Sequence, residues 1–217
     1  MQFIELKHKQ RKLRSGFNEN LSLRVHRALS WFDKAEQSSD DSDAQFIFLW
    51  IAFNAAYAND IAPHHKSSEL NTTSQFIARL CELDSAGRLN QLVWSQFTGP
   101  IRVLLDNPYV FQPFWDHQNG QPASRHWEEV FCAAKAAANA AMGRQDTAQI
   151  IGIVLARLYT LRNQLMHGGA TWNSSVNRHQ IRDCVCILNE LVPLVIDIMM
   201  DHGDQIWGDP YYPVIKD

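Results

Sequence analysis

The chain has 217 residues, with 20 Lys and Arg against 23 Asp and Glu, a formal net charge of -3 and 46% hydrophobic residues. That length fits one domain, or one domain with a large insertion, with enough apolar material for a core that needs no disulfide or structural metal. The composition excludes a largely disordered chain, a collagen-like chain and a short disulfide scaffold, and the mildly acidic balance argues against a protein that coats nucleic acid by bulk charge.

The N-terminal MQFIELKHKQRKLR has neither an apolar h-region nor a small-residue cleavage site, so it does not read as a secretory signal. The longest apolar runs, 46–53 and 191–200, fall short of the ~20 residues of a membrane-spanning helix. Four cysteines, Cys81, Cys132, Cys184 and Cys186, form no Cys-x-x-Cys spacing and read as buried thiols of a reducing compartment. The expectation is a cytoplasmic chain without membrane association.

Residues 1–20 read as a basic N-terminal extension. Its segment 7–14 is either a phosphate contact or, more simply, a solvated and partly frayed end. Asn20 is the expected N-cap of a helix from Leu21 to about Ala35, with Leu21, Val25, Ala28, Leu29 and Phe32 on one side. A Ser/Asp-rich loop follows, and Asp43 is the expected cap of the next helix, 44–59. That segment is apolar almost all round. A buried strand competes over its first eight residues, but the Ala-rich continuation favours one helix. Asn54 inside it is expected to tie helices together through hydrogen bonds.

Residues 60–71 read as a polar loop, with His64 and His65 at the surface rather than on a metal. Short helices are predicted at about 72–84 and 86–105. Residues 106–125, with three prolines and Tyr109, Phe111, Phe114 and Trp115, read as a loop-rich insertion. Its aromatics either stack on bases or, as the simpler reading has it, pin the loop to the core. Helices are predicted at 124–142 (opening near Ser124), 147–167 and 177–202, the last with a bend at Pro193. The aromatic tail around Trp207 lies along the body of the protein or a partner. No strand or internal repeat is evident. The reading is all-α: a helical bundle over 21–203 with an inserted loop-rich region at about 60–125, followed by a tail at 204–217.

One segment carries a functional signal. Residues 150–169, IIGIVLARLYTLRNQLMHGG, place Ile151, Val154, Leu158, Leu161 and Leu165 at helical spacing, and Gly168-Gly169 closes the helix. Near its end stand Arg162, Asn163 and His167. Arg followed by His after four to six residues arises by chance roughly 1.6 times in a chain of this composition, so the bare pattern means little. Its place at the end of an amphipathic helix, before one last apolar helix, means more.

With FIFLWIAFNAAY at 46–57, LYTLRNQLMHGG at 158–169 and the closing helix, the chain resembles the HEPN superfamily, in particular its Apea-like branch. The resemblance covers the two ends of 21–203 and leaves roughly 60–125 unmatched. It implies a HEPN-like helical bundle, and for many members a metal-independent endoribonuclease with a toxin or antiviral role. The Arg-x4-6-His motif of that superfamily usually has a polar residue after the Arg, here Asn163. Other members are non-catalytic scaffolds or partners of nucleotidyltransferases.

The residue chemistry agrees. Cleaving RNA without a metal takes a proton-moving group, which His supplies near neutral pH, and a permanent positive charge beside the phosphate, which Arg supplies. Asn163 and His167 are four apart and share a helix face. Arg162 and His167 point about 140° apart on an ideal helix, so the site needs a loosened helix end or a second copy.

The expectations are therefore an endoribonuclease with catalytic residues Arg162, Asn163 and His167, no cofactor and no metal. Its partners are an RNA substrate, a second copy in a homodimer, and an antitoxin or regulatory protein. The alternative is a non-catalytic HEPN scaffold binding a partner protein or nucleotide.

Overall fold

The computed structural model describes residues 1–57, 66–175, 178–205, 207–210 and 212, with backbone alone for 66–72. Among these residues the chain is all-α, with ten helices and no strand. They are α1 (Phe3–Leu13), α2 (Glu19–Glu36), α3 (Ser42–Tyr57), α4 (Lys66–Leu83), α5 (Arg88–Gln91), α6 (Thr98–Asp106), α7 (Gln112–Gln118), α8 (Trp127–Gly143), α9 (Thr147–Met166) and α10 (Arg178–Asp201). A π-helical turn, Leu92–Gln96, joins α5 to α6, and single 3-10 turns flank α7.

The apolar character of α3 on nearly all sides follows from its surroundings. It packs along α2 and α10 and also meets α9. Phe46, Leu49, Ala52, Phe53 and Ala56 are all buried there. Opposite them lies the predicted face of α2, from Leu21 through Val25, Ala28 and Leu29 to Phe32. Every residue of α10 from Leu191 to Met200 is buried, Pro193 included, and the helix continues through that proline. A proline inside a helix costs ~3 kcal/mol, while each fully buried Val, Leu or Ile contributes ~1.5–3 kcal/mol. Packing on all sides therefore keeps α10 whole.

Several local expectations are corrected. Asn18, not Asn20, caps α2: its side chain accepts the Leu21 N–H at 2.8 Å. Asn20 instead donates to Asp209 of the tail at 2.5 Å. Asp41, not Asp43, caps α3, accepting the N–H groups of Asp43 and Ala44. Asp43 is drawn into a bidentate pair with Arg178 at the start of α10, at 3.0 and 3.1 Å. Strong capping chemistry stood at two neighbouring positions in each case, and contacts distant in sequence decided which side chain was used.

The basic N-terminus is not frayed. Residues 3–13 form α1, which packs on α2 and α10 with Leu6 and Gln10 buried. Lys9 reaches Asp197 and Asp201 at 2.6 Å each, and Arg88 meets the other Asp197 oxygen at 2.5 Å. The cysteines divide: Cys184 is buried, Cys81 half-buried, and Cys132 and Cys186 are exposed.

The region 106–125 holds α7 rather than loop alone, and α8 begins at Trp127 without a side-chain cap. Its aromatics pack mainly on each other. Phe114 lies edge-on to Tyr109, Trp115 and Trp127, and Phe111 meets Phe131 of α8.

In the tail, Trp207 is buried against Phe76 of α4. Arg24, wholly buried in α2, donates to the backbone carbonyls of Ala56, Gly208 and Asp209. His64 and His65 lie outside the described residues. No described helix is long and apolar enough to cross a membrane.

Candidate active site

The two faces of α9 do different work. Ile151, Val154, Leu158 and Leu161 are buried in the core. A second stripe, Gly152, Ala156, Tyr159, Asn163 and His167, recurs at steps of four and three and lines a cavity of about 410 Å³. The facing wall is the last two turns of α3, with Trp50, Phe53 and Tyr57, and Thr73 and Ser74 of α4 complete it. Gln112, the first residue of α7, is a further lining residue. The aromatic walls meet where the Trp50 and Tyr159 rings lie 6.1 Å apart at an interplanar angle of 53°.

The helix end is built by two glycines. His167 is the C-cap and Gly168 adopts the left-handed conformation at φ 69°. The Gly168 N–H donates to the Leu165 carbonyl at 3.2 Å, and the Gly169 N–H to the Gln164 carbonyl at 2.7 Å. This is the Schellman pattern, which satisfies carbonyls that the last turn leaves without helical partners. It stops the helix with His167 exposed to solvent.

The segment that follows is tied to the start of α3. The Trp172 indole N–H donates to Asp41 at 2.8 Å, and the Asn173 N–H to Asp43 at 2.8 Å. The Ala44 N–H and the Trp172 indole hold the Asp41 carboxyl below the usual aspartate range. On the other side, the Gln164 side-chain amide donates to the Tyr109 carbonyl at 2.6 Å and fastens the segment before α7 to α9.

Of the three expected site residues, Asn163 and His167 line the cavity together, one helical turn apart. Arg162 does not line it. Its guanidinium donates to the Asn163 side-chain oxygen at 3.0 Å. Within one chain, Arg162 is thus linked to the cavity through Asn163. Among the described residues, no three His, Cys, Asp or Glu side chains converge as metal ligands would.

The cavity itself is not visible in the sequence. The stripe from Gly152 to His167 is present in the sequence, but Trp50, Phe53 and Tyr57 look like ordinary core residues until α4 and α9 are set beside them. No pattern in the sequence marks Arg157 either. It is 4% exposed, with its guanidinium 4.3 Å from the Phe111 ring centre and 5.4 Å from that of Phe131. Among the described residues one guanidinium nitrogen has no hydrogen-bond partner, and burial pulls the group down to about 10.

No family model matches the chain, and no curated protein or solved structure matches it.

Proposed function

We propose that this protein is a metal-independent endoribonuclease of the HEPN type, with Arg162, Asn163 and His167 as its catalytic group. The observation that carries the reading is the placing of Asn163 and His167 side by side on one cavity, with Arg162 hydrogen-bonded to Asn163. His167 moves protons: it takes the proton from the RNA 2′-hydroxyl or gives one to the departing 5′-oxygen. The 2′-oxygen forms its bond to the adjacent phosphorus as the bond from phosphorus to the 5′-oxygen breaks. The products are a 2′,3′-cyclic phosphate and a 5′-hydroxyl. Arg162 carries the positive charge that stabilises the phosphorane, and Asn163 positions a phosphate oxygen.

A homodimer with its two-fold axis near the end of α9 supplies a second Arg162 and His167 to one cleft. That arrangement compensates for the divergence of the two side chains on a single helix. The biological setting we propose is RNA cleavage in a toxin or phage-defence role, in the cytoplasm, under an antitoxin or regulatory protein.

The second reading is a non-catalytic HEPN scaffold that binds a partner protein or nucleotide. The bond from Arg162 to Asn163 supports it, because a purely structural arginine makes such a contact. Purified protein incubated with total RNA in EDTA separates the two. The ribonuclease reading expects cleavage with cyclic-phosphate ends that is lost in both Arg162→Ala and His167→Ala. Equal cleavage by all three proteins, or none by any, removes it.

A further inference from the structure

We propose that the cavity beside Asn163 and His167 is a nucleobase pocket, holding the base of the nucleotide whose 2′-hydroxyl attacks. The proposal rests on the ribonuclease reading and names the part of the RNA that the site grips.

The first argument is the character of the walls. Tyr159, half-buried on the wall with the Trp50 ring 6.1 Å from it, is an aromatic of the kind on which bases stack, and stacking of this sort contributes ~1–3 kcal/mol per base. No Lys, Arg, Asp or Glu is among the described lining residues, so the moiety that enters is neutral. A phosphate stays outside, near His167, which is where the chemistry needs it. The volume of about 410 Å³ lies within the ~300–1,000 Å³ typical of pockets for small organic ligands.

The second argument is a polar edge on the cavity. Ser74 and Asn163 place a hydroxyl and an amide on its wall. Gln112 adds an exposed amide: its nitrogen donates to Asp116 at 2.9 Å, and its carbonyl oxygen remains to accept. A lipid chain has no use for these groups. A nucleobase has both an apolar face and an edge of donors and acceptors.

The third argument is Gly152. It sits inside α9, where glycine is unfavourable by ~1 kcal/mol relative to alanine. A Cβ there would meet only the Ser74 hydroxyl oxygen, at 3.9 Å, so helix packing does not require the glycine. Its absent side chain keeps the cavity open.

The test titrates the four ribonucleoside 3′-monophosphates into the full chain by calorimetry in EDTA, and maps cleavage ends on total RNA with the same preparations. The variants are Gly152→Leu, which fills the cavity, Gly152→Ala, which narrows it by one carbon, the exposed Gln112→Ala, and His167→Ala. The expected result is one base bound at least tenfold more tightly than the others. Gly152→Leu should weaken that binding at least tenfold, Gly152→Ala should weaken it less, and Gln112→Ala should reduce the discrimination.

Equal binding of all four bases, or no binding, overturns the pocket. If Gly152→Leu does not fold, unchanged discrimination in Gln112→Ala overturns it equally. Cleavage that depends on His167 but keeps its base preference in Gly152→Leu and Gln112→Ala rejects the pocket and leaves the ribonuclease. Base-selective binding lost in Gly152→Leu, without His167-dependent cleavage, keeps a nucleobase pocket and rejects the ribonuclease.

Discussion

Replacing Asp43 with alanine tests whether the end of α9 is held from α3. Asp43 makes two bonds to the Arg178 guanidinium, at 3.1 and 3.0 Å, and accepts the Asn173 N–H at 2.8 Å. The two side chains are only 10% and 13% exposed, so solvent screens the pair little. Breaking a buried pair by removing one partner costs about 3–5 kcal/mol, because the other charge is left without compensation. Some exposure remains, and Arg178 keeps its bond to the Ser174 carbonyl at 3.0 Å, so the lower end, about 3 kcal/mol, applies here.

That is a large fraction of the ~5–15 kcal/mol of an ordinary domain. With a urea m-value near the top of the ~1–3 kcal/mol/M range for small proteins, the unfolding midpoint should fall by about 1 M. Arg178→Ala should cost a similar amount. The double variant should cost at least 1 kcal/mol less than the sum of the single variants, since the two share one interaction. Urea denaturation followed by circular dichroism reads all four proteins. A loss below about 1 kcal/mol in Asp43→Ala, or strict additivity in the double variant, refutes the reasoning.

Three further outcomes are expected. Gly168→Ala, at φ 69°, should lower stability by about 1–2 kcal/mol, because a Cβ strains the left-handed cap that ends α9 beside His167; an unchanged melting temperature contradicts that account. Arg157→Met should leave stability unchanged or raise it. Two cation–π contacts of about 1–2 kcal/mol each stand against a desolvation penalty of several kcal/mol for the buried guanidinium, and a stability loss above about 1 kcal/mol in urea denaturation reverses that balance.

Asp41 gives the pH dependence. Its carboxyl is held below the usual value of 3.8, first by the Ala44 N–H and then by Trp172, so its charge stabilises the fold above that pH and the contribution disappears as pH falls through the lowered folded value. The stability gap between wild type and Asp41→Asn should therefore be widest near pH 7 and narrow below pH 3.8. A gap that stays constant in denaturation series across that range counts against the assignment.

How much was legible in the sequence differs between levels of structure. α2, α3, α8, α9 and α10 were all recognisable, because a periodic apolar face or an alanine-rich run sustained over four or more turns is a local property. Caps were less so. Asn18 and Asn20, and likewise Asp41 and Asp43, have nearly equal local suitability. Asn20 was claimed by Asp209 and Asp43 by Arg178, both more than a hundred positions away. The order in α1 follows from the same cause. A run of positive charges looks solvated until Asp197 and Asp201 of α10 are brought opposite Lys9.

The candidate site divides along that line. Sequence alone determined that Asn163 and His167 share a face of α9, that Arg162 points elsewhere, and that Gly168-Gly169 ends the helix, since all three follow from 3.6 residues per turn and the conformational freedom of glycine. Tertiary structure decided that this face opens on a cavity, because the cavity is the space between α9 and a wall of α3 some hundred residues earlier. Only packing turned Trp50 from one more core aromatic into part of a cavity wall, and the missing side chain of Gly152 into room for a ligand.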